Sequence, residues 1–294
     1  MSATENLDQT KPQHQTVWDW RAASNFMFGG AGSGLLLFGA LASDTGSTYR
    51  PYGIVALCLI ALGLCCVSLE IGRPLRSMNV FKHVHTSWMT RESLVAPFLF
   101  ACGALAVWSG DASWIWLAAL CGMLFLYCQA RMLNASKGIP AWRQQRVLPL
   151  MIVTGLTEGG GLLALISALI SAPPAWLMVT LMLALAARYL LWRGYRQQLA
   201  DRAAPPQTLA ALDAVESPFI KVGHWLAALI LLPTLIPSVL AASAWCYGIA
   251  GFLVVTSGWL FKYTLVARAG YNQGYALPRI PVRGRAPNLA AKET

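Results

Sequence analysis

Residues 52–70 of this chain read YGIVALCLIALGLCCVSLE, an apolar run with no charge until its last position. A helix of this length spans about 30 Å, which is the thickness of the hydrocarbon core of a bilayer. The run leads into LEIGRPLRSMNVFKHVHTSWMTRES (69–93), which carries two acids, four Lys/Arg and two histidines. A second apolar run follows at 93–109. The stretch therefore predicts a transmembrane helix, a polar link and a second transmembrane helix.

The rest of the chain repeats this pattern. It has 294 residues, of which 56% are hydrophobic and only 12% are charged, whereas a soluble domain carries about a quarter charged residues. The apolar runs are too long and too continuous for barrel strands. The predicted fold is an all-α integral membrane protein with eight transmembrane helices and both termini on the same side. The predicted helices are 22–43, 52–70, 93–109, 113–131, 148–170, 174–193, 220–241 and 244–263.

Three segments follow from these helices. A polar N-terminal tail (1–21) precedes the transmembrane domain (22–263), and an irregular basic tail (264–294) ends the chain. The apolar runs contain all seven cysteines, and the sequence has no CxxC pair, no P-loop and no zinc spacing. His83 and His85 lie two apart in a basic link, and no further ligand accompanies them to complete a metal site. We therefore expect no metal or cluster in this chain.

The positive charges predict the topology. Of the 22 Lys and Arg residues, 21 fall in the N-terminal segment, the even-numbered links with their flanks, or the C-terminal tail; only Arg50 falls on the other side. This count places Arg188 and Lys262 with the cytoplasmic charges. The positive-inside rule then predicts a multi-pass protein of the cell inner membrane with cytoplasmic N- and C-termini. Topology and attraction to anionic membrane lipid explain the net charge of +10, so a nucleic-acid partner is not required.

Four polar side chains at predicted helix ends are candidates for function. Asn25 lies in the first helix, Glu70 ends the second, Glu92 opens the third and Tyr127 ends the fourth. Ionisable residues at membrane depth are costly, so they are functional candidates by default. All four residues fall on the predicted cytoplasmic side, and this permits them to share one pocket.

Each candidate also has a structural interpretation. Asn25 can form an interhelical hydrogen bond, and the helix dipole favours Glu92 in a first turn capped by Ser87 or Thr90. Glu70 can pair with Arg73 or Arg76 and so fix a helix end. Tyr127 is also explained as an aromatic residue at the membrane interface.

Several segments resemble the membrane-anchor subunits of the NrfD/DmsC superfamily. These segments are WDWRAASNFMFGGAGSG (18–34), LEIGRPLRSMN…SWMTRE (69–92) and the basic even-numbered links. In addition, KGIPAWR (137–143) and GYNQGYALPRIPVRG (270–284) resemble the branch of phenylacetyl-CoA:acceptor oxidoreductase anchors.

The resemblance implies a quinone-reactive anchor subunit of an oxidoreductase complex used in anaerobic respiration. Such a subunit exchanges electrons between menaquinone or ubiquinone and a partner iron–sulfur cluster subunit, which serves a molybdopterin catalytic subunit. This chain alone is not expected to catalyse a reaction. Relatives carry histidines that act on quinone at the positions of Asn25 and Glu70.

By position, the resemblance implies that Asn25 and Tyr127 contact the quinone, while Glu70 and Glu92 bind it and carry its protons. Arg73, Arg76 and His83 complete the expected quinone-binding set.

Two alternatives remain at this stage. A secondary transporter needs binding groups near the membrane midplane, and Glu158 followed by Gly159–Gly161 is the segment that fits. A purely structural anchor without a quinone site is the other alternative, in which the polar residues only join helices.

Overall fold

The computed structural model describes residues 11–43, 46–70, 85, 87–235 and 240–274. Within them, eight helices are long and apolar enough to cross a membrane, which confirms the predicted all-helical fold. In chain order they are α1 (Trp20–Ala42), α2 (Gly46–Ser68), α3 (Trp88–Ser109), α4 (Ala112–Ala135), α5 (Val147–Ile170), α6 (Ala175–Asp201), α7 (Pro206–Thr234) and α8 (Ala244–Arg268).

The sixth link is shorter than predicted. The hydropathy pattern ends the sixth helix at 193 and begins the seventh at 220, whereas α6 continues to Asp201 and α7 begins at Pro206. These extensions hold polar side chains that pair with each other, because the Arg196 guanidinium binds both Asp213 and Glu216 across the two helices. Hydropathy therefore locates the apolar part of each helix but not the point at which the helix ends.

Helices α1, α5 and α8 form the centre of the bundle, with 61–72% of their most apolar segments buried, against 28–44% for the other five. Glycines bring them together. A Cβ on Gly159 of α5 would overlap the backbone of Gly34 in α1, and a Cβ on Gly251 of α8 would overlap the carbonyl of Gly161. Small residues allow such close approach between membrane helices. The glycines that follow Glu158 thus serve helix packing.

Helix α1 contains a widened turn. It is α-helical over Trp20–Ser24, π-helical over Asn25–Gly29 and α-helical again over Gly30–Ala42. Such π-bulges occur frequently at functional sites. Before α1, the chain pairs with the residues that follow α8: the Gln15 amide donates to the Gly270 carbonyl at 2.8 Å.

Candidate functional site

A cleft of about 400 Å³ lies where the first part of α1 meets the end of α2 and the start of α3. Apolar side chains form most of its wall, including those of Trp18, Phe26 and Met132. Three of the predicted site residues line it: Asn25, Glu70 and Glu92. The structure therefore brings together, in one cleft, side chains that the sequence could only place at the same ends of different helices.

Asn25 and Glu92 form the polar centre of this cleft. Asn25 Nδ2 donates a 3.0 Å hydrogen bond to Glu92 Oε1. Both side chains are buried, with exposed fractions of 3% and 4%. Gln129 of α4 helps to hold Asn25 in place, because its Nε2 donates to the Asn25 backbone carbonyl at 2.9 Å. Three helices thus meet at one buried carboxylate.

Sequence reasoning missed the role of Gln129. In sequence it lies between Tyr127 and Arg131, at the end of the predicted fourth helix, where polar residues are expected at the membrane interface. In the structure it is 1% exposed and approaches the widened turn of α1. A polar amide at the end of an apolar run was the available signal.

The cleft contains hydrogen-bonding capacity that the protein leaves unused. Asn25 Oδ1 is buried and has no hydrogen-bond partner within the described structure. Asn25 Nδ2 carries two hydrogens, and the hydrogen bond to Glu92 uses only one of them. A buried polar atom without a partner costs about 1–3 kcal/mol, so this amide is a place where a ligand carrying a hydroxyl or a carbonyl gains a hydrogen bond.

Glu92 does not open its helix, contrary to the sequence-based prediction. Helix α3 begins four residues earlier, at Trp88, and Ser87 is its N-cap, with its side chain accepting from the Thr90 amide at 3.3 Å. Glu92 therefore lies beyond the first turn and does not receive the full effect of the helix dipole. The hydrogen bond from Asn25 is its principal polar contact.

Glu70 lies at the rim of the cleft, directly after α2. Partial burial raises the pKa of its carboxyl, the nearby Asp19 raises it further, and Arg21 partly opposes both effects. Arg21 is itself held by Asp19, with Nε donating at 2.9 Å, and this contact lowers the pKa of Asp19. Arg21 also donates to the Leu69 carbonyl at 3.0 Å, which ties the start of α1 to the end of α2.

Tyr127 is outside the set of residues that line the cleft. Its side chain is 38% exposed, and its ring packs edge-on against Trp88 with the centroids 5.7 Å apart. The Trp88 ring is also covered by the guanidinium groups of Arg91 and Arg131, at 4.1 and 4.8 Å. Tyr127 therefore contacts the first residue of α3 and leaves the Asn25–Glu92 pair untouched.

The remaining predicted residues, Arg73, Arg76 and His83, lie outside the described residues. His85 is described and its side chain is exposed. Over the described ranges, no group of three or more His, Cys, Asp or Glu side chains could hold a metal ion.

A second buried polar group lies deeper in the bundle. Lys262 Nζ of α8 binds Glu158 Oε2 of α5 at 2.6 Å, and both side chains are fully buried. Arg188 of α6 is also fully buried and donates from Nε to His224 Nε2 of α7 at 3.0 Å.

Counting Arg188 and Lys262 as cytoplasmic charges was therefore wrong. Both cations lie inside the bundle because Glu158 and a set of neutral acceptors receive their hydrogen bonds there. The sequence did carry a signal, since apolar residues flank each cation in LALAARYLL (183–191) and WLFKYTL (259–265).

The fold and the cleft define a multi-pass membrane protein with a buried carboxylate–amide pair at one end of its helix bundle. The chain belongs to the family described as DMSO reductase anchor subunit (DmsC), which matches residues 34–212. This match confirms the superfamily that the sequence resembles, and it places the chain among the membrane-anchor subunits of oxidoreductase complexes. The matched segment contains Glu70, Glu92 and Tyr127. No curated protein matches the sequence significantly.

Proposed function

We propose that this chain is the quinone-reactive anchor subunit of a molybdopterin and iron–sulfur oxidoreductase, with the Asn25–Glu92 cleft as its quinone site. The observation that carries the proposal is the buried amide of Asn25, bonded to a carboxylate on one side and left with an unpartnered Oδ1 in a largely apolar cleft. The DmsC family membership supports it independently.

The residues present fit a quinone headgroup. The cleft volume of about 400 Å³ falls within the range of roughly 300–1,000 Å³ that is usual for small-molecule sites. Its apolar wall suits a ring and an isoprenoid tail, and its few polar groups can fix the orientation of the ring. A quinone bound there supplies the redox chemistry, because it carries two electrons and two protons between its oxidised and reduced forms.

The work of the chain is then to bind, to orient and to move protons. Asn25 can donate to a carbonyl through Nδ2 or accept from a hydroxyl through Oδ1. Glu92 can take up a proton as the carboxylate, or release one as the carboxylic acid, next to that amide. Glu70, at the rim and with a raised pKa, can exchange protons between Glu92 and the solvent. Phe26 and Met132 add apolar surface to the wall of the cleft beside the buried pair.

The electrons in this proposal pass to or from an iron–sulfur cluster subunit, which a molybdopterin subunit accompanies. Support comes from the family, whose members anchor DMSO reductase-type complexes. The cluster has to approach the cleft end of the bundle for fast electron exchange. Arg91 and Arg131, stacked on Trp88 close to the cleft, give that end positive charge to meet an acidic partner surface.

We further propose that the cleft end faces the cytoplasm. The pairing of Gln13 with Asn272 and of Gln15 with Gly270 holds the described parts of both terminal segments together, which supports termini on the same side. A phosphatase and a fluorescent reporter fused in turn to the C-terminus report the side. We expect fluorescence and no phosphatase activity, and the reverse pattern would place this end in the periplasm.

Binding of a short-chain quinol to the purified chain in nanodiscs tests the quinone site. The Asn25→Leu variant keeps the branched shape of the side chain but removes its polar atoms, so we expect about 3- to 10-fold weaker binding, corresponding to one lost hydrogen bond. Ser93→Ala is the matched control, because Ser93 lines the same cleft but uses its hydroxyl on the Met89 carbonyl.

Tyr127→Phe should also bind like the wild type, because its ring lies outside the cleft lining. Equal affinity of the wild type and Asn25→Leu would remove Asn25 from the site. A wild type without saturable binding would favour a purely structural anchor. The transporter alternative loses its main support, since the glycines after Glu158 pack against α1 and α8.

A further inference from the structure

The described structure has two buried polar groups: the Asn25–Glu92 pair in the cleft and the deeper group around Lys262. Their buried charges balance only when both groups are counted together. Four side chains of charged types are buried there: Glu92, Glu158, Arg188 and Lys262. Glu158 and Lys262 neutralise each other in their ion pair. Arg188 then remains as an extra cation in the deeper group, and Glu92, when it is ionised, is an extra anion in the cleft.

Neutral partners hold Arg188. Its guanidinium donates to the carbonyls of Gly223 at 2.8 Å and Val254 at 3.4 Å, and to His224 Nε2 at 3.0 Å. His224 Nδ1 faces the Phe219 carbonyl at 2.7 Å, so Nδ1 carries the hydrogen of the ring and Nε2 is an acceptor. His224 is therefore the neutral tautomer and adds no charge. Glu158 also interacts electrostatically with Arg188, so the three charges form one cluster with a net charge of +1.

The widened turn of α1 lies between this cluster and Glu92. A Cβ on Gly29 would meet Gln129 Nε2, which belongs to the cleft side, and a Cβ on Gly30 would meet Lys262 Nζ, which belongs to the cluster. Asn25, which binds Glu92, begins the same turn. From the rise of a helix, the separation between Glu92 and Lys262 is on the order of 10 Å.

We propose that the cluster of Glu158, Arg188 and Lys262 is the buried counter-charge of Glu92 and sets the pH at which Glu92 exchanges its proton. These residues act on the site through the electrostatic field, so they are positioning residues. The inference rests on the proposed function only for its use in turnover, because the balance of charges exists in the absence of a quinone.

Other ionisable groups near Glu92 are unchanged in the test. Cys128 of α4 interacts electrostatically with Glu92, and Glu70 lines the same cleft. Arg91 and Arg131 stack on Trp88, at the start of the helix that carries Glu92. Helix α1 presents the uncharged Asn25, with Asp19 and Arg21 closer to Glu70. A change in the pH midpoint of Glu92 in variants of the cluster can therefore be assigned to the charge of the cluster.

Infrared spectroscopy of the purified, quinone-free chain in nanodiscs measures the effect directly. The carbonyl band of protonated Glu92, identified by its loss in Glu92→Gln, is followed as a function of pH. Lys262→Met removes the net positive charge, so we expect the midpoint of this band to move up by about one pH unit, as for a unit charge about 10 Å away at an effective dielectric of about 20. Arg188→Met removes the same charge by another route and should give a similar shift, so the test does not depend on one variant folding.

The double variant Glu158→Gln/Lys262→Met is the matched control. It breaks the ion pair but leaves Arg188, and thus restores the net charge of +1. We expect its midpoint to return close to that of the wild type. If the midpoint of the double variant shifts as far as that of Lys262→Met, the lost Glu158–Lys262 ion pair causes the shift and the net charge does not. That result would overturn the proposal. The proposal would also be overturned if neither Lys262→Met nor Arg188→Met shifted the midpoint.

Turnover of the assembled complex separates the two proposals. If the infrared midpoints shift as expected but the wild-type complex exchanges no electrons with quinone, the counter-charge stands and the quinone function fails. If the complex turns over normally and the midpoints do not move, the counter-charge alone fails. We expect both to hold, with the pH profile of turnover displaced in the same direction as the band.

Discussion

Glu92→Gln should lower quinone-linked turnover of the assembled complex by about 100-fold or more, the usual contribution of a positioned proton-transfer group. Gln keeps the size of the side chain and can still accept from Asn25 Nδ2 through its carbonyl oxygen, so the cleft should keep its shape. The substitution removes only the ability to gain and lose a proton. Its effect should therefore fall on kcat, while KM for a soluble quinol changes little.

The measurement is quinol oxidation or quinone reduction by complex purified through this chain, with the partner subunits quantified to confirm assembly. Electron exchange between the partner subunits and a soluble dye serves as the internal control, because it bypasses the cleft. Glu70→Gln should have a smaller effect, since Glu70 lies at the rim and water can replace it. Wild-type kcat in Glu92→Gln would assign the proton step to another group.

Gly159→Val should prevent correct assembly of the helix bundle. The Cβ would overlap the Gly34 backbone, which cannot move aside as a flexible side chain can. Overpacking in a close-packed interior costs about 1–3 kcal/mol and sometimes more, and here it forces apart α1 and α5, two of the central helices. We expect loss of monodisperse protein in detergent, or a strongly lowered Tm.

Gly138→Val provides the comparison, because nothing lies within 4 Å of a Cβ at Gly138. The two variants add the same side chain to the same protein in different surroundings. Monodispersity and thermal unfolding of both should therefore isolate the steric effect. Similar Tm values for Gly159→Val and the wild type would mean that α1 and α5 can separate without loss of stability.

The sequence could predict the fold because lipid requires it. A backbone in hydrocarbon must satisfy its own hydrogen bonds, so long apolar runs become helices, and all eight were located. The ends of α6 and α7 could not be located from hydropathy, because polar residues such as Arg196 and Asp213 stabilise the helices beyond the apolar part. The phenylacetyl-CoA branch and the boundaries of the tails remain predictions.

The candidate site was less accessible to sequence reasoning. Asn25, Glu70 and Glu92 were visible as polar residues at membrane depth, but their meeting in one cleft depends on the contacts between helices. Lys262 and Arg188 were misplaced because the positive-inside rule counts cations and does not see which way they point. An interior cation requires buried acceptors, and the acceptors of Arg188 include two backbone carbonyls that no sequence pattern reveals.

The widened turn of α1 has a consequence for how the two halves of this helix are oriented. One extra residue in a turn rotates everything after it by about 100° relative to a regular helix. Asn25 can thus face α3, while Gly34 still faces α5. Without that angular offset, a straight α1 could present either its amide to the cleft or its glycines to α5, but not both. The turn thus sets the angle between the surface of α1 that faces the cleft and the surface that packs against α5.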